Sequence, residues 1–230
     1  MINLALFLLA NISIPDNTGS IAASSANYDG ATLILDGEVS LDHGFGMMKA
    51  EKAVLTRQLQ ESAEFPFMTI DLAEAVHLKL SSQAEVECER ASLDFTTLQG
   101  NLSSPKEVHY VDKAFELFSP FLDLQMFKNS QKKDSFDIEK AHAHHGVRVI
   151  YDKLYHLNAD SIVFTEEKLR SDGEGRCVWS FQNDQVEAAA FELDVAKRNL
   201  HLKTATGHLT SMTSGEVQFS AEDLDWNHQD

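Results

Sequence analysis

Residues Ser25 to Leu55 read "SANYDGATLILDGEVSLDHGFGMMKAEKAVL" and contain the pattern that decides the fold. Apolar residues alternate with polar ones, which places one set of side chains on a single face of an extended strand. That set is Leu33, Leu35, Val39 and Leu41. Gly37 interrupts the set, and a glycine inside a strand indicates a bulge or the close approach of another backbone. The stretch therefore predicts a half-buried β-strand with a bulge near its middle.

The same alternation recurs along the rest of the chain. Its members are Val76, Leu78 and Leu80; Val147, Val149 and Tyr151; Leu200, Leu202 and Thr204; and Val217, Phe219 and Ala221. Turn signals separate these segments, beginning at Tyr28, Asp42, Gln99, Ser171 and Thr213. The short spacing between turns favours antiparallel strands, because a parallel crossover needs about a dozen residues or more. The sequence therefore predicts an all-β, antiparallel fold.

A degenerate repeat runs through the chain. A small residue, followed by apolar residues and an acid or aromatic residue, recurs at Ala23, Ala50, Cys88, Ala159, Ala188 and Ala221. The spacings are 27, 38, 71, 29 and 33 residues, and the longest is close to two units. A period of about 30 to 38 residues is too loose for a helical solenoid and suits strands joined by turns of varying length.

Two segments have a composition that also suits helices, residues 69–80 ("TIDLAEAVHLKL") and 137–145 ("DIEKAHAHH"). Neither carries clear caps at both ends, so the strand interpretation is preferred. Pro105 and Pro120 bracket the best candidate for an internal boundary. Residues 16–230 are therefore predicted to form one β-domain or two halves that meet near residues 105–135.

The charge of the chain excludes some partners. With 19 basic and 36 acidic residues, the formal net charge is −17. Binding of nucleic acids depends on basic side chains that displace counterions from phosphates, so this composition argues against it. The same sign argues against electrostatic docking on anionic lipid headgroups. A lipid partner would have to be held mainly by its acyl chains.

The beginning of the sequence and the cysteines leave alternatives open. The apolar run "MINLALFLLA" is too short to span a bilayer. Residues 1–15 are therefore either the remnant of an export signal or membrane anchor, or a first buried strand or amphipathic end. Cys88 and Cys177 are the two cysteines of the chain. Two separate buried thiols are the commoner arrangement, and pairing in an oxidising compartment is the alternative.

The stretch from Ser25 to Leu55 resembles the repeat of the OstA/LptA/LptC family of lipopolysaccharide-transport proteins. In that family, a small-residue strand ending in Tyr-Asp precedes an apolar strand with Gly-x-Val, and a strand with Ala-acid-x-Ala follows the turn. The matching positions are Tyr28, Asp29, Leu35, Gly37, Val39, Ala50, Glu51 and Ala53. Weaker echoes lie in residues 149–164, 186–209 and 215–226. The match is specific over about thirty residues, and the middle of the chain departs from the pattern.

The resemblance implies a twisted antiparallel β-jellyroll, or β-taco, whose interior holds the acyl chains of lipid A. It implies a periplasmic protein, with an inner-membrane anchor if the true N-terminus is longer, and no enzymatic activity or cofactor. Its partners would be lipopolysaccharide and other β-jellyroll transport proteins that pair through edge strands. The candidate groove-lining residues are Leu33, Leu35, Val39, Leu41, Val76, Leu78, Leu80, Val147, Val149, Leu200, Leu202, Val217 and Phe219.

Two other function classes are weighed against lipid transport. One is a β-rich structural or adhesion-like surface protein that carries no lipid. The other is a metal-dependent enzyme that uses His142, His144 and His145, with His156 or an acid such as Asp137 or Glu139 as a further ligand. No second motif supports such an enzyme, because a serine nucleophile elbow, a phosphate loop and a dinucleotide fingerprint are missing from the sequence. Trp179 and Trp226 are interpreted as packing residues, with lipid or sugar anchoring as the alternative.

Overall fold

A computed structural model describes residues 12–13, 20–57, 67–129, 135–165, 167–173, 175–211 and 215–227. These residues form strands and turns and no helix, in one seventeen-stranded sheet with antiparallel pairing throughout. The strands are β1 (Ile12–Ser13), β2 (Ser20–Ala22), β3 (Ser25–Tyr28), β4 (Thr32–His43), β5 (Gly46–Arg57), β6 (Phe67–Leu80), β7 (Glu85–Asp94), β8 (Gln99–Val111), β9 (Phe115–Asn129), β10 (Ser135–Tyr151), β11 (Tyr155–Phe164), β12 (Lys168–Ser171), β13 (Cys177–Phe181), β14 (Asp184–Ala188), β15 (Ala190–Asp194), β16 (Asn199–Ser211) and β17 (Gly215–Asn227). The predicted all-β jellyroll class is confirmed.

The strands pair in the order of the chain. From β4 to β11 each strand pairs with the next one. Beyond β11 the strands are shorter: β12 and β13 both pair with β11, and β14 and β15 both pair with β16. Similarly, β2 and β3 both pair with β4. Each of these three short pairs therefore occupies the place of one long strand, and we call each long strand or short pair a rung.

A line of bulges crosses the rungs near their middles, and we call it the fold line. The pairing register breaks there in successive ladders, for example between Asp36 and Val39 and between Ala73 and Val76. Several residues in these breaks have positive φ angles: Gly37, Glu38, Glu74, Ala75, His145, Gly146 and Thr204. A bulge bends the strand that carries it and re-aims the residues beyond it. The bulge predicted at Gly37 is confirmed.

The degenerate repeat of the sequence follows this fold line. Its small residues lie at the breaks of alternate rungs: Ala23, Ala50, Cys88, Ala159, Ala188 and Ala221. The long interval between Cys88 and Ala159 is filled by Ser119, which is 1% exposed and lies at the break of β9. Two halves of a sheet that diverge from a common line leave little room beside it, so small side chains suit these positions.

The bend at the fold line divides the sheet into two leaves. The fold line divides each rung into two halves. The halves that end at turns such as Phe95–Leu98 form the first leaf, and the halves that end at turns such as Gly44–Phe45 form the second leaf. His43 in the second leaf contacts Phe95 in the first, with ring centroids 4.6 Å apart. The amide of Phe136, also in the first leaf, donates to the carbonyl of Gly44 at 2.9 Å. The strand ends and turns that lie farthest from the fold line on the two leaves therefore meet, and we call their line of contact the seam.

The architecture bears on several local predictions. Residues 105–129 of the proposed boundary region lie in β8, β9 and the turn between them, and the two strands pair with each other. Pro105 and Pro120 lie at the fold line, in the break between Ser103 and Val108, where a missing N–H costs no ladder bond. The turn that was predicted to begin at Gln99 instead spans Phe95–Leu98, and Gln99 is the first residue of β8.

The two segments of helical composition lie in β6 and β10. Thr204, predicted to share the face of Leu202, is exposed, and Ala205 is buried in its place. Thr204 has a positive φ angle at the fold line, and this bulge shifts the alternation by one residue.

The interpretations of the N-terminal run concern residues that mostly lie outside the described part of the chain. Of residues 1–15, Ile12 and Ser13 are described, and they pair with Ile21 and Ser20. Among the described residues, no helix is long and apolar enough to cross a bilayer. The two cysteines are free and buried. Burial raises the pKa of the Cys88 thiol to about 12 and that of Cys177 to about 11, so both are poor nucleophiles.

Candidate functional site

The side chains between the two leaves form one continuous apolar interior. Buried side chains from Ile21 on β2 to Ala205 on β16 belong to one hydrophobic cluster. The predicted groove-lining residues on β4, β6, β10 and the first half of β16 are all members, with exposures of 5% or less. The sequence pattern therefore identified a set of side chains that share the inner face.

Two of the predicted lining residues are less enclosed than the others. Val217 is 43% exposed, and Phe219 is half-buried against the cluster. Both lie on β17, which in the described part of the chain pairs with β16 alone. Because no further rung covers this strand, the apolar interior reaches solvent at this end of the sheet.

The seam contains a cleft of about 590 Å³. On the second leaf it is lined by the turn Ser81–Ala84 and by Tyr110, and on the first leaf by Phe127, Ile138, Phe164 and Val195. Phe127 is 41% exposed, whereas Tyr110 and Phe164 are buried members of the apolar cluster. The cleft thus leads from an exposed aromatic ring to the interior.

Aromatic contacts close the seam on one side of this cleft. His43 packs edge-on against Phe95 and stacks on Phe136 at 5.4 Å. The amide of Phe45 donates to His43 Nδ1 at 3.2 Å. His43 is 8% exposed, and its burial lowers its pKa to about 4, so the ring is neutral at pH 7. A neutral imidazole fits this aromatic contact, whereas a charged one would lose its hydration there.

A second aromatic group closes the seam on the other side. Phe164 of the first leaf packs against Tyr110 at 5.0 Å and against Phe115 at 5.4 Å, both on the second leaf. Burial raises the pKa of the Tyr110 phenol, so this group is neutral as well. Further along, the Tyr151 hydroxyl donates to the Val195 carbonyl across the seam at 3.5 Å. The aromatic contacts that join the two leaves are therefore neutral, whereas the Ser81 hydroxyl donates to the Asp137 carboxylate across the seam at 2.6 Å.

Sequence reasoning did not find these seam residues. His43, Phe95, Phe136 and Phe164 lie at the ends of strands on opposite leaves, and nothing in a two-residue alternation pairs them. Their one common signal is an aromatic ring at or beside the end of a strand.

The interior also contains a polar atom without a partner. The indole Nε1 of Trp179 is buried and makes no hydrogen bond, and it is the one such side-chain atom among the described residues. Trp179 is 4% exposed and stacks on Tyr155 at 5.3 Å. Trp179 therefore packs in the core, as predicted. Packing does not explain why its buried N–H has no acceptor.

The histidine group lies on the outer face of the sheet. His142 Nε2 lies 2.6 Å from the Ser161 hydroxyl and 3.3 Å from Asp172 Oδ2. His144 uses opposite ring atoms for its two neighbours: Nε2 lies 3.1 Å from Asp123 Oδ2, and Nδ1 lies 2.5 Å from His145 Nδ1.

These contacts point in several directions rather than at a common centre. No group of three or more histidine, cysteine or acidic side chains in the described residues can hold a metal ion. Of the other ligands considered, Glu139 lines a cleft together with His142 and Asp123. Asp137 instead lies 2.6 Å from the Ser81 hydroxyl at the seam, and His156 is exposed on β11. The metal-enzyme hypothesis therefore gains no geometric support from this part of the chain.

Comparison with protein-family models and with curated proteins found no match for this chain.

Proposed function

We propose that this chain binds lipopolysaccharide through the acyl chains of lipid A and forms part of a periplasmic bridge that carries it toward the outer membrane. The observation that carries the proposal is the continuous apolar interior between two leaves that meet along a seam with aromatic contacts. The resemblance of residues 25–55 to the transport family supplies the identity of the cargo. No catalytic group or cofactor has a part in this function.

Burial of acyl chains can supply the binding energy. Each methylene transferred from water to an apolar surface contributes about 0.8 kcal/mol, so one chain of about a dozen carbons gains several kcal/mol. The interior side chains are closely packed, with exposures of 5% or less at most positions. Binding therefore requires the leaves to separate, and the cleft beside Phe127 is the place where the seam is already open.

The charge of the protein suits this mode of binding. A formal charge of −17 repels phosphorylated headgroups at long range, and the apolar interior offers them no counterion. The headgroup is therefore expected to remain in solvent while the chains enter. A cargo held this way can be released without breaking strong ion pairs, as a relay of lipids requires.

Site-specific photocrosslinking tests the proposal. Leu35 and Ile34 are neighbours on β4, but Leu35 is 1% exposed in the interior and Ile34 is 48% exposed on the outer face. With an aliphatic diazirine amino acid at each position, purified lipopolysaccharide is expected to crosslink at position 35 and only at background level at position 34. Circular dichroism of both variants confirms that they are folded. Equal crosslinking at the two positions, or none at position 35, would refute lipid binding in the interior.

The last strand suggests how such a bridge is assembled. In the described residues β17 has β16 on one side and no strand on the other, and its apolar side chains are partly exposed. An edge of this kind can accept a strand from a neighbouring β-jellyroll by main-chain hydrogen bonding. Because the two ends of the stack differ, a second copy would add head to tail, which gives an open chain.

Val217→Lys is expected to weaken this pairing. A charge on the inward face of an edge strand must be desolvated when another strand covers it. Concentration-dependent assembly, measured by sedimentation velocity, is expected to weaken at least about tenfold, equivalent to 1.4 kcal/mol. Glu216→Gln is the matched control, since it makes the same charge change on an adjacent exposed residue. Equal effects of the two variants would show that charge alone controls assembly.

The second candidate is a β-rich structural or adhesion-like protein without lipid cargo. The observation that favours it is the dense packing of the interior, where residues such as Leu78 and Leu157 are fully buried. It predicts no crosslinking at position 35 together with intact assembly through β17. The two experiments above therefore separate it from lipid transport.

A further inference from the structure

The unpartnered N–H of Trp179 is unusual for a residue in the middle of a core. The indole N–H is a donor only, and buried donors are almost always paired with an acceptor or with an ordered water. Trp179 is 4% exposed, and its Nε1 has no hydrogen-bond partner. It is part of the same apolar cluster as the predicted groove-lining residues. The donor therefore faces the interior in which the cargo would lie.

The surroundings of Trp179 offer no protein acceptor and little support for a water. Its cross-strand neighbours are Leu157 on β11 and Val186 on β14, both buried. Its ring contacts are with Tyr155 and Tyr151. A buried water is stable when it has two to four polar partners, and the side chains of Leu157 and Val186 supply none. An acceptor brought by a ligand would satisfy the donor without such partners.

A cleft at the seam lies one aromatic ring away from this residue. Tyr151, whose ring centroid lies 6.5 Å from that of Trp179, lines this cleft of about 230 Å³ together with Phe115, Val195 and charged residues such as Asp112 and Arg198. The cleft is bounded by the 3.5 Å hydrogen bond from the Tyr151 hydroxyl to the Val195 carbonyl. A bond of this length is weak, so it contributes little to holding the seam closed at this point.

We infer that the Trp179 indole N–H is a hydrogen-bond donor for the cargo, and that the cargo carries an acceptor oxygen within its apolar part. Acyl chains linked through an ester or an amide carry such an oxygen at their head, and plain alkyl chains do not. This inference rests on the proposed lipid-binding function and adds the chemistry of the chain that the interior selects. Selection arises because a plain chain would leave the donor unsatisfied in the complex, whereas a carbonyl would pair with it.

Two detergents that differ in one carbonyl group test the inference. Dodecyl maltoside and the dodecanoate ester of maltose share the chain length and the sugar, and each is used below its micelle concentration. Isothermal titration calorimetry of the full chain is expected to show about three- to tenfold tighter binding of the ester, the contribution of one neutral hydrogen bond. Trp179→Phe keeps an aromatic ring and removes the donor, so it is expected to abolish this preference. Trp226→Phe on β17 is the matched control and is expected to keep it.

Tryptophan fluorescence gives a second measurement that does not need the Trp179 variant to fold. The chain has two tryptophans, so Trp226→Phe leaves Trp179 as the sole emitter. The ester is expected to shift its emission to longer wavelength, and the ether is expected to shift it less.

The outcomes separate this inference from the proposed function. Equal affinity for ester and ether in the unmodified chain would overturn the role of Trp179 and leave lipid binding intact. An equal loss of affinity for both probes in Trp179→Phe would assign the residue to packing and also overturn it. No binding of either probe would overturn the inference together with the lipid-binding function on which it rests.

Discussion

Gly46→Ala is expected to lower the free energy of unfolding by about 3 kcal/mol or more. Gly46 begins β5 with a φ angle of +139°, a conformation that is costly for residues with a side chain. A Cβ atom at this position would lie 2.1 Å from the carbonyl oxygen of Lys79 and 2.9 Å from Leu80 Cα. Both are backbone atoms of the neighbouring strand, in the register position that pairs Gly46 with Leu80. The clash can be relieved only by opening the β5–β6 ladder.

Urea denaturation of the variant measures this loss, and Gly30→Ala separates its two causes. Gly30 also has a positive φ angle, +100°, but a Cβ atom there would meet nothing within 4 Å. Its substitution is expected to cost only the conformational strain, about 1–2 kcal/mol. Similar losses in the two variants would contradict the close approach of β6 to the first residue of β5.

Acidification from pH 6.5 to pH 4 is expected to remove about 3 kcal/mol of stability through His43 alone. Its pKa is about 4 in the folded chain because of burial, against about 6.5 in the unfolded chain. Between these values the unfolded state binds a proton that the folded state does not. The contribution of His43 to stability is therefore fully present above about pH 6.5 and is lost as the pH falls toward 4. Well below pH 4 this group causes no further change. Protonation opposes the contact of His43 with Phe95 and Phe136, so the seam is expected to weaken first.

Comparison of the unmodified chain with His43→Phe and His43→Gln isolates this contribution. Neither replacement titrates in this range. Between pH 6.5 and pH 4 each variant is therefore expected to lose about 3 kcal/mol less stability than the unmodified chain. His43→Phe removes the acceptor of the Phe45 amide, which lowers stability by an amount that does not depend on pH. Parallel stability curves for all three chains would rule out a buried neutral histidine at the seam.

The inner face of the sheet could be predicted from residue order. Leu33, Leu35, Val39 and Leu41 are all buried, as their alternation predicts. Gly37 is at a bulge, as a glycine inside an alternating strand indicates. The small-residue repeat was visible as well, although its meaning was not. Alternation and small size are local properties of the chain, so they appear in the sequence without knowledge of the fold.

Other positions depend on the fold around them. Thr204 was assigned to the inner face because strict alternation was extended through a bulge that the sequence does not mark. Pro105 and Pro120, which bracket the candidate boundary, lie at the fold line, where a proline is tolerated inside a sheet. Val217 has the pattern of a lining residue, yet it is exposed, because among the described residues only β16 pairs with its strand. Each outcome depends on neighbours that are distant in the sequence.

Residue order alone shows that this chain is a stack of antiparallel strands with one apolar face, because a period of two residues fixes the side of the strand on which a side chain lies. The bend of the rungs along one line and the contact between the two leaves appear only in the three-dimensional fold. That closure brings His43 against Phe95 and Phe136 and buries the N–H of Trp179. Contacts across the seam join side chains at the ends of different rungs. The twist and bend of the whole sheet set these distances, and no spacing within a single strand records them.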